Sequence, residues 1–427
     1  MQPNEWIAAL EQPKAMLALT SLYSVEDSLA HAARYEGLAR EYERRFGPGD
    51  MRFFRAPGRT ELIGNHTDHN NGMALAAAVT ADIVAVAAPR RDMRVTLFSR
   101  GYEKPFILDL GTLIPKPTER GTSFGIIRGI AAGLNHERKF RIGGFDAVCD
   151  SLVARGSGLS SSAAFEVLAS VIFEGLYNER FLDPVERAKL AQNAENQYFG
   201  KACGLLDQLA CSCGSMALYD FAVPKKPQIT TIDFDFHAAG YSLMVVNTGD
   251  SHTMLTPHYN DIITEMQAVA KIFRANTLRR VEETAFYEKL PAIRERAGDR
   301  AALRAMHYFQ ENRRVEAAAK ALQARNIQEY LKLINESGRS SENLLQNVYA
   351  DAENQALALG LALSARILQG KGAWRVHGGG FAGTVQAYVP HSLLREYTDE
   401  MERVFGEGCC ETLRVTNTGG REFVIRQ

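Results

Sequence analysis

Three observations predict a two-domain α/β protein. The chain has 427 residues, beyond the length at which one hydrophobic core keeps growing, so two domains are expected. Short apolar runs suited to strands are interspersed with longer stretches whose apolar residues recur at helical spacing. Finally, the Gly/Ser-rich stretch 151–164 leads without a break into the apolar-periodic run 165–173.

Composition narrows the function classes. Hydrophobic residues make up 46% and charged residues 23%, with a formal net charge of −1. That balance argues against a non-specific nucleic-acid or membrane surface and leaves room for a small basic pocket. The six cysteines include Cys211 and Cys213 one residue apart and the adjacent Cys409 and Cys410. No Cys-x-x-Cys pattern is present, so reduced structural thiols and a cytoplasmic location are expected. Glu5, Glu11 and Pro13 interrupt the first apolar residues, which therefore do not read as a signal peptide. The apolar run 72–89 contains Thr80 and Asp82. It predicts two buried strands rather than a bilayer span.

In chain order, residues 1–47 predict a helical layer with Leu29, Ala32, Ala33, Tyr35, Leu38 and Tyr42 as its apolar positions, packed on the first domain. A short strand then enters a turn at Pro57-Gly58. The following loop is dense in groups that hydrogen-bond hydroxyls: Arg59, Asn65, His66 and Asp68. Such density suits a sugar, and equally a solvated hairpin loop. Strands are expected at 94–99, 106–110 and 144–149, with a helix at 124–134.

The Gly/Ser loop comes next. Glycines allow a concavity of N–H groups, and the following helix adds unpaired donors and the positive end of its dipole. This reads as a triphosphate cradle, or as a simple turn with a serine N-cap. A second helix, 185–199, carries Glu195. Beyond it, Asp207 sits among apolar residues just after Gly200 and Gly204. It is either catalytic, or a buried or helix-terminal carboxylate. Pro224-Lys225-Lys226-Pro227 marks the expected boundary between domains 1–227 and 228–427. The second domain predicts a strand at 241–247, then helices over 260–365 with Val315, Ala318, Leu322, Ile327, Leu331 and Ile334 as an apolar stripe. His307 reads as a packed surface histidine. A strand, glycine turn and strand follow over 372–389, then a helix at 392–405 and a strand pair around Thr418-Gly419-Gly420.

Three motifs stand in one order. Pro57-Gly58-Arg59-x-x-Leu62-Ile63-Gly64-x-His66-Thr67-Asp68 resembles the galactokinase signature. Gly156-Ser157-Gly158-Leu159-Ser160-Ser161-Ser162-Ala163-Ala164 resembles the phosphate loop of the superfamily of galactokinase, homoserine kinase, mevalonate kinase and phosphomevalonate kinase. Gly378-Gly379-Gly380-Phe381-x-Gly383 is similar to its third motif. The resemblance implies a ribosomal-protein-like first domain with a left-handed crossover and a ferredoxin-like second domain, with the active site between them. The last strands are free to return to the first domain. It also implies an ATP- and Mg2+-dependent sugar kinase, expected as a monomer, that phosphorylates the C1 hydroxyl of galactose or a related hexose. Arg59 and Asp207 match the catalytic pair, and Ser162 and Glu195 the magnesium ligands. Gly156 to Ala163 match the ATP phosphate site. Asn65, His66, Asp68, Gly204 and Tyr259 match the sugar contacts.

The chain departs from the pattern at several positions. Asn65 stands where the family has a Glu facing the C6 hydroxyl. Glu61 replaces an Asn, His69 a Tyr, His258 a Glu, His377 a Thr and Ala382 a Gly. An amide donates as well as accepts and tolerates a carboxylate that Glu would repel. A uronic-acid 1-kinase is therefore the alternative substrate reading. A non-catalytic sugar and ATP sensor is the alternative class, disfavoured because the phosphate-loop serines and alanines are all present. The signature around His66 and Asp68 speaks against an isoprenoid or amino-acid kinase or a decarboxylase.

Overall fold

The computed structural model describes residues 1–153, 158–201, 203–249, 255–381 and 383–425. The first sheet contains β1 (Arg52–Ile63), β2 (Met73–Pro89), β3 (Arg94–Ser99), β4 (Phe106–Asp109), β5 (Phe145–Ser151), β6 (Met216–Asp220) and β7 (Gln228–Ile232). β2 is its spine. It pairs antiparallel with β1, with β6 through its first half and with β5 through its second. β3 lies parallel to β5, and β4 forms the edge beyond it.

Two expectations about strands are corrected here. Residues 73–89 of that run form one strand, not two, because Asp82 is accommodated inside the sheet. Its carboxylate accepts from Arg55 Nε at 2.7 Å, Arg34 Nη1 at 2.7 Å and the Tyr23 hydroxyl at 2.7 Å. A buried charge with three donors need not break a strand. Similarly, β1 runs straight through Pro57-Gly58. The register shifts between Pro57 and Arg59, so the pair forms a bulge rather than a turn, a position where a missing N–H is tolerated.

Alternation across the strands builds two layers. Phe53, Val84, Val86 and Val148 face the amino-terminal helices Pro3–Leu10, Pro13–Thr20 and Ser28–Phe46. Phe54, Ala85, Ala87 and Ala147 face the core beneath the helices Ser123–Ala132 and Ser161–Tyr177. In the longest amino-terminal helix the buried face is Tyr35, Leu38, Ala39 and Tyr42, whereas Leu29 is 71% exposed. Leu29, the second residue of the helix, lies off this buried face, whereas Ser28 and His31 beside it are buried.

The second sheet is β8 (Tyr241–Asn247), β9 (Ala373–Val376), β10 (Thr384–Pro390) and β11 (Cys410–Leu413). Its order is β11-β8-β10-β9, antiparallel throughout. This is the β-α-β-β-α-β arrangement of a ferredoxin-like layer, with a long helical insertion between β8 and β9. β12 (Arg421–Phe423) leaves that sheet and pairs with β1, Phe423 opposite Phe53. The strands flanking Thr418-Gly419-Gly420 therefore belong to different sheets and do not form the expected pair. β7 pairs with β6, so the first sheet extends past residue 227.

The helices Asp299–Gln323 and Ile327–Ser340 bury Val315, Ala318, Leu322, Leu331 and Ile334. His307 is not at the surface as expected. It is fully buried on the same helix, where its ring nitrogens bond the Ser340 hydroxyl and the Asn65 carbonyl, each at 2.9 Å. Among the described residues all six cysteines are free, and no helix is long and apolar enough to cross a membrane.

Candidate active site

The bulge in β1 is where the Gly/Ser loop docks. It turns the Arg59 N–H out of the ladder to donate to the Leu159 carbonyl at 3.0 Å. A Cβ at Gly58 would come within 3.0 Å of that same oxygen, so a side chain here would crowd the loop. From this anchored position the Arg59 guanidinium reaches both the loop and the helix Leu206–Cys213. Nε donates to Asp207 Oδ1 at 2.7 Å, and Nη1 donates to the Gly158 carbonyl. The Ser160 hydroxyl donates to the other Asp207 oxygen.

Asp207 lies in the first turn of its helix, with a side chain 36% exposed. Its surroundings would raise a carboxyl, yet Arg59 and Ser160 outweigh them and hold it below the usual range. The carboxylate is thus ionised at neutral pH and open to the groove.

Gly158 and Ser160 both have positive φ, 73° and 57°. At Ser160 that conformation is strained for a side-chain-bearing residue, and its bond to Asp207 helps hold it. The helix Ser161–Tyr177 starts immediately after, with Ser161 and Ser162 in its first turn and Ser162 exposed. Leu159 and Ala163 are fully buried and anchor the loop beneath. Gly156 and Ser157 lie outside the described residues.

Glu195 comes from a π-type turn, Ala194–Phe199, that widens the end of the helix Pro184–Asn193. Such turns interrupt helix regularity and re-aim a side chain. Ser162 Oγ is 3.4 Å from Glu195 Oε1. The Gln208 amide bridges Glu195 Oε2 at 2.8 Å and Glu166 Oε2 at 3.1 Å. Burial, and then the charge of Glu195, push the Glu166 carboxyl well up. Among the described residues no three His, Cys, Asp or Glu side chains converge to hold an ion by themselves. Ser162 and Glu195 offer the hard oxygen donors that suit magnesium shared with phosphates, the usual case for that ion.

Opposite Asp207 lie the residues of the loop after β1. His66, at φ 58°, bonds the Gly379 carbonyl through Nε2 at 2.9 Å and faces Tyr259, ring centroids 6.3 Å apart. The Tyr259 hydroxyl donates to the Gly380 carbonyl at 3.0 Å. Asp68 is pushed up to about 7, first by burial and then by the charges of Asp207 and Glu61. A Cβ at Gly204 would overlap the Asp68 carboxylate, so only glycine leaves that oxygen its place.

Asn65 differs from its neighbours. It is 1% exposed. Its Nδ2 donates to Glu61 Oε1 at 3.1 Å and the Gly378 carbonyl at 2.5 Å, and its Oδ1 accepts from Asn347 Nδ2 at 2.6 Å. Its amide is thus engaged by the protein, at the junction of the first and third motifs. Glu61 in turn accepts from Arg375 Nη2 at 3.0 Å. The unusual residues at 61 and 65 are therefore one linked feature, an amide–carboxylate pair that ties β1 to β9.

Several supporting residues escaped the sequence reading. Glu311 accepts from the Gly64 N–H at 3.1 Å and the Ser337 hydroxyl at 2.5 Å. Burial would raise it, but Arg314 and then His307 prevail and lower it to about 2. Burial lowers His307 to about 4, leaving it neutral. The two stand four residues apart on one helix face, a spacing that marks a polar pair aimed into the core.

Residues 40–89 match the family model described as the galactokinase galactose-binding signature, and residues 126–215 match that of the GHMP kinases N terminal domain. Galactokinase of Clostridium tetani is 28% identical over 366 residues, 84% of this chain and 88% of that protein. The crystal structure of Lactococcus lactis galactokinase complexed with galactose aligns with a TM-score of 0.77 at 24% identity, covering 89% of this chain and 97% of that one. The chain thus carries the galactokinase galactose-binding signature together with a GHMP kinase N-terminal domain. The mevalonate kinase of Methanococcus jannaschii shares the fold more distantly, with a TM-score of 0.62 at 17% identity over 86% of this chain and 99% of that one. As a GHMP kinase the protein is a phosphotransferase, and the family implies ATP as the donor. The signature segment spans β1, the His66 loop and β2. The kinase segment spans the phosphate-loop helix and Asp207.

Proposed function

We propose that this galactokinase-family enzyme phosphorylates the C1 hydroxyl of galactose or a closely related hexose, giving the sugar 1-phosphate and ADP. The observation that carries the reading is the Asp207 carboxylate, bonded by Arg59 at 2.7 Å and by Ser160 at the start of the loop helix. In one direction it adjoins the phosphate loop; in the other lie Asp68 and Gly204.

Phosphoryl transfer depends on alignment and charge compensation. The N–H groups at the start of the helix Ser161–Tyr177, with the Ser161 hydroxyl, bind phosphate oxygens. Ser162 and Glu195 hold a magnesium ion, whose chemistry is to neutralise charge on the triphosphate. Asp207 orients the C1 hydroxyl and accepts its proton as the oxygen attacks. Arg59 keeps that carboxylate ionised until then. Asp68, His66 and Tyr259 hold the remaining hydroxyls, and Gly204 gives the ring room.

A coupled ADP-release screen over galactose, glucose, galacturonate, glucuronate, arabinose and N-acetylgalactosamine tests this, with the product's phosphate position read by 31P NMR. Galactose is expected to give the highest kcat/KM and a 1-phosphate. Preference for a uronate would replace the substrate while keeping the reaction. Binding of ATP and sugar without sugar-dependent ADP release would favour the sensor reading.

A further inference from the structure

Lys201 is a cation in the groove that the roles above do not use. It follows Gly200, whose φ of 90° ends the π-type turn that carries Glu195. The Gly200 and Lys201 N–H groups both donate to the Glu195 carbonyl, at 2.9 and 3.2 Å. The base of the side chain is thus fixed to the same turn as the carboxylate. Its ammonium stands 3.4 Å from Glu195 Oε1, while the side chain is 55% exposed. Asp207 and Tyr259 both lie within range of its charge. Lys201 therefore stands beside the carboxylate next to Ser162, and its charge reaches the carboxylate beside Arg59 and the tyrosine on the sugar side.

We propose that Lys201 is a further catalytic residue, whose ammonium binds the γ-phosphoryl group of ATP as it passes to the sugar. The inference rests on reading the Gly/Ser loop as the phosphate site and Glu195 as a metal ligand. Arg59 is held in place by the bonds of its Nε and Nη1 to Asp207 and the Gly158 carbonyl, so its guanidinium is not free to follow a moving anion. A lysine suits this role, since a compact charge on a flexible four-carbon stem can follow a moving anion. Two cations on one carboxylate oxygen repel each other. With a divalent ion on Glu195, the ammonium turns to the next anion within reach, the terminal phosphate. In the transfer itself the sugar oxygen forms the new bond to phosphorus, and the bond from phosphorus to the β–γ bridging oxygen breaks. That oxygen leaves with its electron pair on ADP, and the hydroxyl proton goes to Asp207. Lys201 keeps its own proton throughout and compensates the charge on the equatorial oxygens.

Lys201→Met and Lys201→Arg test the proposal. Their exposure at a turn leaves the fold intact, which unchanged thermal unfolding verifies. Titration calorimetry without sugar measures ATP and ADP binding to each variant, and steady-state kinetics measures kcat. Lys201→Met is expected to weaken ATP about tenfold while ADP stays within about twofold, and to lower kcat by about 10²-fold, the scale of one lost charged contact to the transition state. Lys201→Arg is expected to restore most of both. Wild-type turnover in Lys201→Met would overturn the proposal. So would equal weakening of ATP and ADP, which would make Lys201 only a partner of Glu195. A wild-type protein that binds neither nucleotide would instead overturn the phosphate-site reading on which this rests.

Discussion

Arg59 Nε and Asp207 Oδ1 lie 2.7 Å apart although 148 positions separate them in the chain. The pair joins the bulge of β1 to the first turn of the helix Leu206–Cys213, and it decides the protonation of a carboxylate open to the groove. Asp207→Asn removes the charge and the proton acceptor while preserving shape. Turnover is expected to fall about 10²–10⁴-fold, the range for loss of a general base, with ATP binding little changed by calorimetry. Because the wild-type carboxyl lies below its ordinary value, kcat at saturating sugar is expected to stay flat down to about pH 5.

Asp68 titrates in the opposite sense. Its folded carboxyl is raised from 3.8 to about 7, so the folded state holds the proton more tightly than the unfolded one. Its contribution to stability is fully present below about pH 4 and is lost as pH rises through about 7. Unfolding midpoints in denaturant are expected to fall over that window relative to Asp68→Asn. Sugar affinity is expected to rise as pH passes through about 7, where the folded carboxyl ionises, since a carboxylate accepts hydroxyl hydrogen bonds more strongly. Calorimetry of Asp68→Asn is expected to give a pH-independent affinity.

The Glu61–Asn65 pair predicts a double-mutant result. Asn65→Glu alone sets two carboxylates where one amide now donates to Glu61. It is expected to destabilise the fold by about 1–3 kcal/mol, as for other broken buried networks. The exchange Glu61→Asn/Asn65→Glu restores an opposite pairing and is expected to recover a coupling of about 0.5–3 kcal/mol in chemical denaturation. Additive losses in the cycle would show the two positions to be independent.

Asp82 is fully buried between two arginines. Arg55, fully buried, and Arg34 both pair with its carboxylate at 2.7 Å. Asp82→Ala strands the Arg55 charge inside the sheet and is expected to cost about 3–5 kcal/mol, read as a lower denaturant midpoint with unchanged slope. Since β2 runs through this position, the loss is expected to expose the whole first sheet together.

The sequence by itself determined the kind of machine this is. Pro57-Gly58-Arg59, the serine run and the glycines of the third motif are local requirements, set by backbone conformation, missing side chains and donor density, and these can be read along the chain. The apolar stripe of Val315 to Ile334 was legible for the same reason: periodicity is a local property. What only the tertiary structure decided was the fate of the polar residues. Asp82 reads as a break in an apolar run until Arg34, Tyr23 and Arg55 converge on it from a helix, a loop and a neighbouring strand. His307 reads as a surface residue until Asn65, far back in the chain, supplies its acceptor. Asn65 itself reads as a sugar contact, yet Gly378 and Asn347 close upon it. A buried polar group is stable only with its partners, and those partners come from distant segments that only folding brings together.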